Sequence, residues 1–131
     1  MKKLIYLLLI FPFLISCSSD ENEPMQDYTS FVFVQTIDNE LPNCIAAYKK
    51  DGKYIKLADL GTLKTKNQES SEIIVNERSI SEIYFFTDLA GCVRFDAIYR
   101  LKPNIKNTFN LLENTKGIQV TDKTDPTQYP Q

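Results

Sequence analysis

The residues whose type and spacing could do chemistry here are the cysteines and the carboxylates: the chain holds Cys17, Cys44 and Cys92, 17 Asp+Glu, and neither histidine nor tryptophan. The absence of histidine excludes Ser-His-Asp triads, Cys-His pairs, the usual His-bearing zinc sites and the one side chain that titrates unaided near neutral pH. Cys44 and Cys92 are too far apart in sequence for a C-x-x-C redox dithiol. In an oxidising compartment this even pair predicts a disulfide, with two free thiols as the alternative. A bridge of that loop length contributes about 4 kcal/mol in the chain-entropy picture. One difficulty stands against it: Cys44 has the parity of an apolar strand face, and Cys92 that of Arg94 and Asp96, unless a bulge at Gly91 reorients it. Glu72, Glu82, Asp88 and Asp96 are the acids that a glycosidase-type pair would have to bring together. At solvent parity on strands they read instead as solubilising. Asp122 and Asp125 lack the dense oxygen pattern of a calcium loop. We therefore expect no catalytic residue, no metal site and no cofactor, and read the protein as a non-enzyme.

Cys17 has a different context. Met1-Lys2-Lys3 is a positive start, and Leu4 to Ile15 is apolar throughout, broken only by Pro12. That run is shorter than the roughly 20 residues that span a bilayer and matches a secretory h-region. The residues that follow, Leu14-Ile15-Ser16-Cys17, resemble the lipobox of bacterial lipoprotein precursors. The resemblance covers residues 1 to about 23 and implies cleavage between Ser16 and Cys17. It also implies a diacylglycerol thioether on Cys17 and acylation, commonly by palmitate, of the new amino terminus. Two or three acyl chains make anchoring effectively permanent without a membrane-spanning helix. Ser18, where retained inner-membrane lipoproteins carry Asp, implies sorting to the outer membrane. Cys17-Ser-Ser-Asp-Glu21 with further acids is similar to small Bacteroidetes-type lipoproteins, in which such a stretch implies display at the cell surface. The expected location is thus the outer membrane, lipid-anchored, at its periplasmic face or at the cell surface. The alternatives are a non-lipidated export signal that happens to hold a cysteine, and an uncleaved anchor.

Four segments follow from composition: a signal peptide over 1–16, a lipidated acidic tether over 17–27, a β domain over 28–120 and a flexible tail over 121–131. Loss of residues 1–16 removes Lys2 and Lys3, leaving 13 Lys+Arg against 17 Asp+Glu and a net charge of −4. That balance argues against nucleic acid as a partner. Within the domain, Ser30–Ile37, Cys44–Lys50, Lys53–Leu57, Glu72–Asn76, Glu82–Leu89 and Cys92–Leu101 read as strands. Asp51-Gly52 between two of them calls for a type I′ hairpin, with Tyr48 opposite Ile55 and Ala46 opposite Leu57. Cys92–Leu101 carries the cleanest alternation: Val93, Phe95, Ala97, Tyr99 and Leu101 face one way, Arg94, Asp96 and Arg100 the other. Ile105–Glu113 fits a helical face or a closing strand, and its Asn and Thr content favours the strand. Ile118–Val120 adds a short strand.

Six or seven strands with short turns predict an all-β fold, a small antiparallel sandwich of Ig-like or transthyretin-like type. A small lipocalin-like β-barrel is the alternative. Most aromatics are needed for its core. Tyr54, Tyr84 and Phe86 are the ones expected to remain as an exposed contact patch for a protein or glycan partner. The reading that results is a membrane-anchored lipoprotein whose β domain is a non-catalytic binding or interaction module. The alternative is a protein inhibitor or accessory subunit of the kind that blocks lysozyme.

Overall fold

The computed structural model describes residues 25–131, so Ser16, Cys17 and most of the acidic tether lie outside the described residues. Nine strands follow in order: β1 (Thr29–Val34), β2 (Leu41–Lys50), β3 (Lys53–Leu63), β4 (Ile73–Val75), β5 (Glu82–Thr87), β6 (Val93–Phe95), β7 (Tyr99–Arg100), β8 (Lys106–Asn110) and β9 (Gly117–Gln119). They form a three-stranded sheet, β4-β1-β8, and a larger one, β3-β2-β5-β6-β9, with β7 on β5. The sheets are not closed into a barrel, and the architecture is a small β-sandwich. One pairing departs from an antiparallel arrangement: β1 and β8 run parallel, from Ser30 opposite Lys106 to Val34 opposite Asn110.

The hairpin forms where its turn chemistry requires it. Asp51 and Gly52 both adopt positive φ, 53° and 78°, as a type I′ turn demands. Tyr48 faces Ile55, but Ala46 faces Ala58 and not Leu57, because a bulge intervenes between the Ala46 and Ala47 pairs. The expected continuous strand Cys92–Leu101 is also interrupted. Phe86 pairs with Arg94 and Ile83 with Tyr99, so β5 advances three residues while its partner advances five. Two extra residues preserve side-chain parity. Hence Val93, Phe95, Ala97, Tyr99 and Leu101 all belong to the inter-sheet core even though the strand is broken.

That core is aromatic. Phe33 sits edge-on to Phe85 and Tyr99, with ring centroids 5.0 and 5.1 Å away, and Phe109 closes the group from β8. Two buried amides tie the connections to it. Asn107 donates to the carbonyls of Ser30, Lys102 and Ile105 and accepts from Lys102 N. Gln35, fully buried, donates to Asn39 O and accepts from Ile37 N. Such saturation is what allows a side-chain amide inside an apolar core.

Beyond Val120, whose N–H is held by Cys92 O at 2.8 Å, the chain leaves the β9 edge and crosses the outer face of the larger sheet. It reaches the opposite edge, where Tyr54 N donates to Pro126 O and Lys56 N to Gln131 O. The segment 121–131, expected as a flexible tail, makes these hydrogen bonds in the structure. Asp122 and Asp125 each cap a turn, accepting from the N–H and hydroxyl of Thr124 and Thr127. The polar composition that suggested disorder is therefore spent on internal turns, and Tyr129 supplies the apolar anchor.

Candidate functional site

Tyr54, Tyr84 and Phe86 do come together. β3 supplies the first and β5 the other two, and Tyr54 stands T-shaped to both partners with centroids 5.2 Å apart. They are not an exposed patch: Tyr54 is 4% exposed, Tyr84 7% and Phe86 0%. The crossing strap lays Tyr129 on Phe86 at 5.9 Å, while Lys49 and Arg94 cover the Tyr54 ring at 5.1 and 5.5 Å. Burial raises the Tyr84 hydroxyl above its ordinary range, and the neighbouring charge of Glu82 adds to the effect. Sequence parity located the face correctly but could not register the segment that covers it.

Cys44 and Cys92 are free and buried, which corrects the expected disulfide. Cys44 belongs to the core between the sheets and Cys92 to the cluster on the outer face. The two thiols pack into clusters on opposite sides of one sheet, each among its own apolar neighbours. Burial pushes each thiol up to about 11, which keeps both protonated and unreactive at neutral pH.

The acids are dispersed. Glu72 accepts from Ser30 Oγ at 2.6 Å on the smaller sheet. Glu82 faces Arg100 at one end of β5, Asp88 follows the other end of that strand, and Asp96 is exposed in the bulge. Asp88 is the organised one. Partial burial pushes its carboxyl up, but hydrogen bonds from Asn43 and Lys123 outweigh this and hold it below the ordinary carboxylate range.

The concave surface lies elsewhere, at one end of the sandwich. A groove of about 440 Å³ runs between the entry to β1 (Asp27–Thr29), the exit of β4 (Val75–Arg78) and the turn Leu101–Asn104. Its walls are tied together: Gln26 N donates to Asn104 O, Asn104 N to Thr29 Oγ1, and Leu101 N to Ser81 O, each at 2.8 Å. Asn104 adopts a φ of 61°, a backbone state that asparagine tolerates better than most residues. The ring of Tyr28 is 43% exposed beside this groove, with Asp27, Arg78 and Asn104 as polar partners around Leu101 and Pro103. A smaller depression of about 240 Å³, lined by Tyr48, Lys49 and Lys50, shares Glu77, Ile80 and Ser81 with it. None of the groove residues stood out in the sequence. The one available signal was the turn Lys102-Pro103-Asn104.

Compared with known proteins, the chain matches no family model, no curated protein and no solved structure. The site's chemistry is accordingly read from its own geometry.

Proposed function

We propose that this protein is a lipoprotein anchored through Cys17 in the outer membrane, and that its β domain is a non-catalytic binding module taking a protein or glycan ligand in the Tyr28 groove. The observation that carries the binding reading is the groove itself. Its size falls in the range of ligand sites, it offers an exposed aromatic ring among donors and acceptors, and its walls are hydrogen-bonded to one another. Such a pre-organised surface lowers the ordering cost of binding. The dispersal of Glu72, Glu82, Asp88 and Asp96 supports a non-catalytic role.

The anchoring reading rests on the lipobox resemblance. A chain from Cys17 to Met25 reaches at most about 28 Å, so lipidation would hold the groove close to the bilayer. Two experiments test the pair of readings separately. Cys17→Ala should move the protein from the membrane to the soluble fraction and abolish acyl labelling; retained labelling overturns the anchor. Titration of the labelled domain with soluble oligosaccharides and peptides should shift the amide resonances of Tyr28, Leu101 and Asn104, and shifts confined to other surfaces overturn the groove.

A further inference from the structure

We propose that the Tyr28 groove and the smaller depression beside it form one elongated cleft for an uncharged, linear glycan. This rests on the groove reading above and names the class of its ligand. The two hollows share Glu77, Ile80 and Ser81, so they adjoin along the connection between β4 and β5. Ile80 is buried beneath that connection, while Glu77, Ser79 and Ser81 stand exposed along it. A ligand longer than the groove therefore meets the depression next, and reads Glu77 and Ser81 from both sides.

Side chains carry the recognition. The wall peptides are committed to one another through Gln26 N to Asn104 O, Asn104 N to Thr29 Oγ1 and Leu101 N to Ser81 O, which removes main-chain groups that an extended peptide would use for pairing. The side chains of Asp27, Asn76, Glu77, Arg78 and Asn104, in contrast, hold neither a hydrogen bond nor an ion pair among the described residues. They supply carboxylate acceptors, guanidinium donors and amides that do both. Neighbouring sugar hydroxyls, each a donor and an acceptor, require that mixture. The half-exposed ring of Tyr28 offers its apolar face to the C–H side of a pyranose. Charge excludes a polyelectrolyte: over the whole cleft Lys49, Lys50 and Arg78 are balanced by Asp27, Glu77 and Glu82, so neither an acidic nor a basic chain gains a net field there.

The test titrates the labelled chain from residue 17 onward, carrying Cys17→Ala, with neutral gluco-, xylo-, manno- and N-acetylglucosamine oligosaccharides of increasing length. Oligogalacturonate serves as the acidic glycan and an alternating Val-Thr octapeptide as the extended peptide. At least one neutral series should shift the amides of Tyr28, Ser79 and Asn104, with affinity rising about tenfold from disaccharide to hexasaccharide as the second hollow is engaged. Tyr28→Ala should weaken binding about tenfold, and Tyr28→Phe should restore it, because the ring and not its hydroxyl is used. Lys50→Ala with Ser79→Ala, both exposed, should abolish the gain with length. The proposal is overturned if no neutral series shifts the groove, if oligogalacturonate binds as tightly, if affinity is independent of length, or if Tyr28→Ala binds unchanged. Shifts at Tyr28 and Asn104 with the peptide alone overturn it and leave the groove reading intact, whereas shifts confined to other surfaces overturn both.

Discussion

The two faces of the larger sheet are both apolar, yet they are buried by different means. The inner face meets a second sheet, and Phe33, Phe85, Phe95, Tyr99 and Phe109 interlock there with centroids about 5 Å apart. The outer face carries Tyr54, Tyr84, Phe86 and Cys92 and is covered by one irregular strap. The first arrangement is cooperative, because removing any ring loosens contacts on two sheets. The second is local, because the strap contributes no rung to the ladders between the strands. A core shared by two sheets and a cover made by one segment thus divide the two sides of a single layer.

The largest expected effect falls on the inner side. Phe33→Ala should lower global stability by about 3–5 kcal/mol, the usual cost of emptying a packed aromatic site, and denaturant unfolding should show it as a lower midpoint. A loss below about 1 kcal/mol would erase the distinction between the faces. On the outer side Tyr129→Ala should cost roughly 1–2 kcal/mol. Its signature should be faster hydrogen exchange at Tyr54 and Lys56 with little change in the β1 and β5 amides.

Tyr99 tests the quality of the inner packing from the opposite direction. Its hydroxyl is buried with no hydrogen-bond partner among the described residues, and burial pushes its pKa up to about 12. Tyr99→Phe should therefore stabilise the fold by about 1 kcal/mol, visible as a raised melting temperature. A loss of stability would show that the hydroxyl is satisfied after all.

The smallest effect concerns pH and the strap. Asp88 has a carboxyl held below its ordinary value of 3.8 in the fold. Its contribution is present at pH values above that ordinary value and is lost as pH falls through the lowered one. Exchange at the strap should accelerate under those acidic conditions. Asp88→Asn should remove the acid dependence and cost no more than about 1 kcal/mol at neutral pH, as expected of a largely surface ion pair.

Much of the fold is written in local patterns. Asp51-Gly52 specifies its hairpin, Ala90-Gly91 its turn with φ of 52° and 95°, and the alternation from Val93 to Leu101 its buried face. The expected strand at Ile105–Glu113 is found as β8, against the helical option. Less legible was anything that depends on partners distant in sequence. The break at Asp96–Ile98 leaves parity unchanged and so leaves no mark on the alternation. The strap looked like a polar tail because its aspartates and threonines satisfy one another. The groove could not be read because Tyr28, Arg78 and Asn104 are brought together by hydrogen bonds between segments distant in sequence, Gln26–Asn104, Thr29–Asn104 and Ser81–Leu101.

By itself the sequence determined an all-β chain, the faces of its strands and the exclusion of histidine chemistry, because these depend on residue type and on the period of the backbone. Tertiary structure decided which apolar face is covered and by what, that Cys44 and Cys92 lie on opposite sides of a sheet, and that the open concave surface lies beside Tyr28. The reason is physical: side-chain direction is a local property of a strand, whereas burial depends on which distant segment arrives to exclude the water.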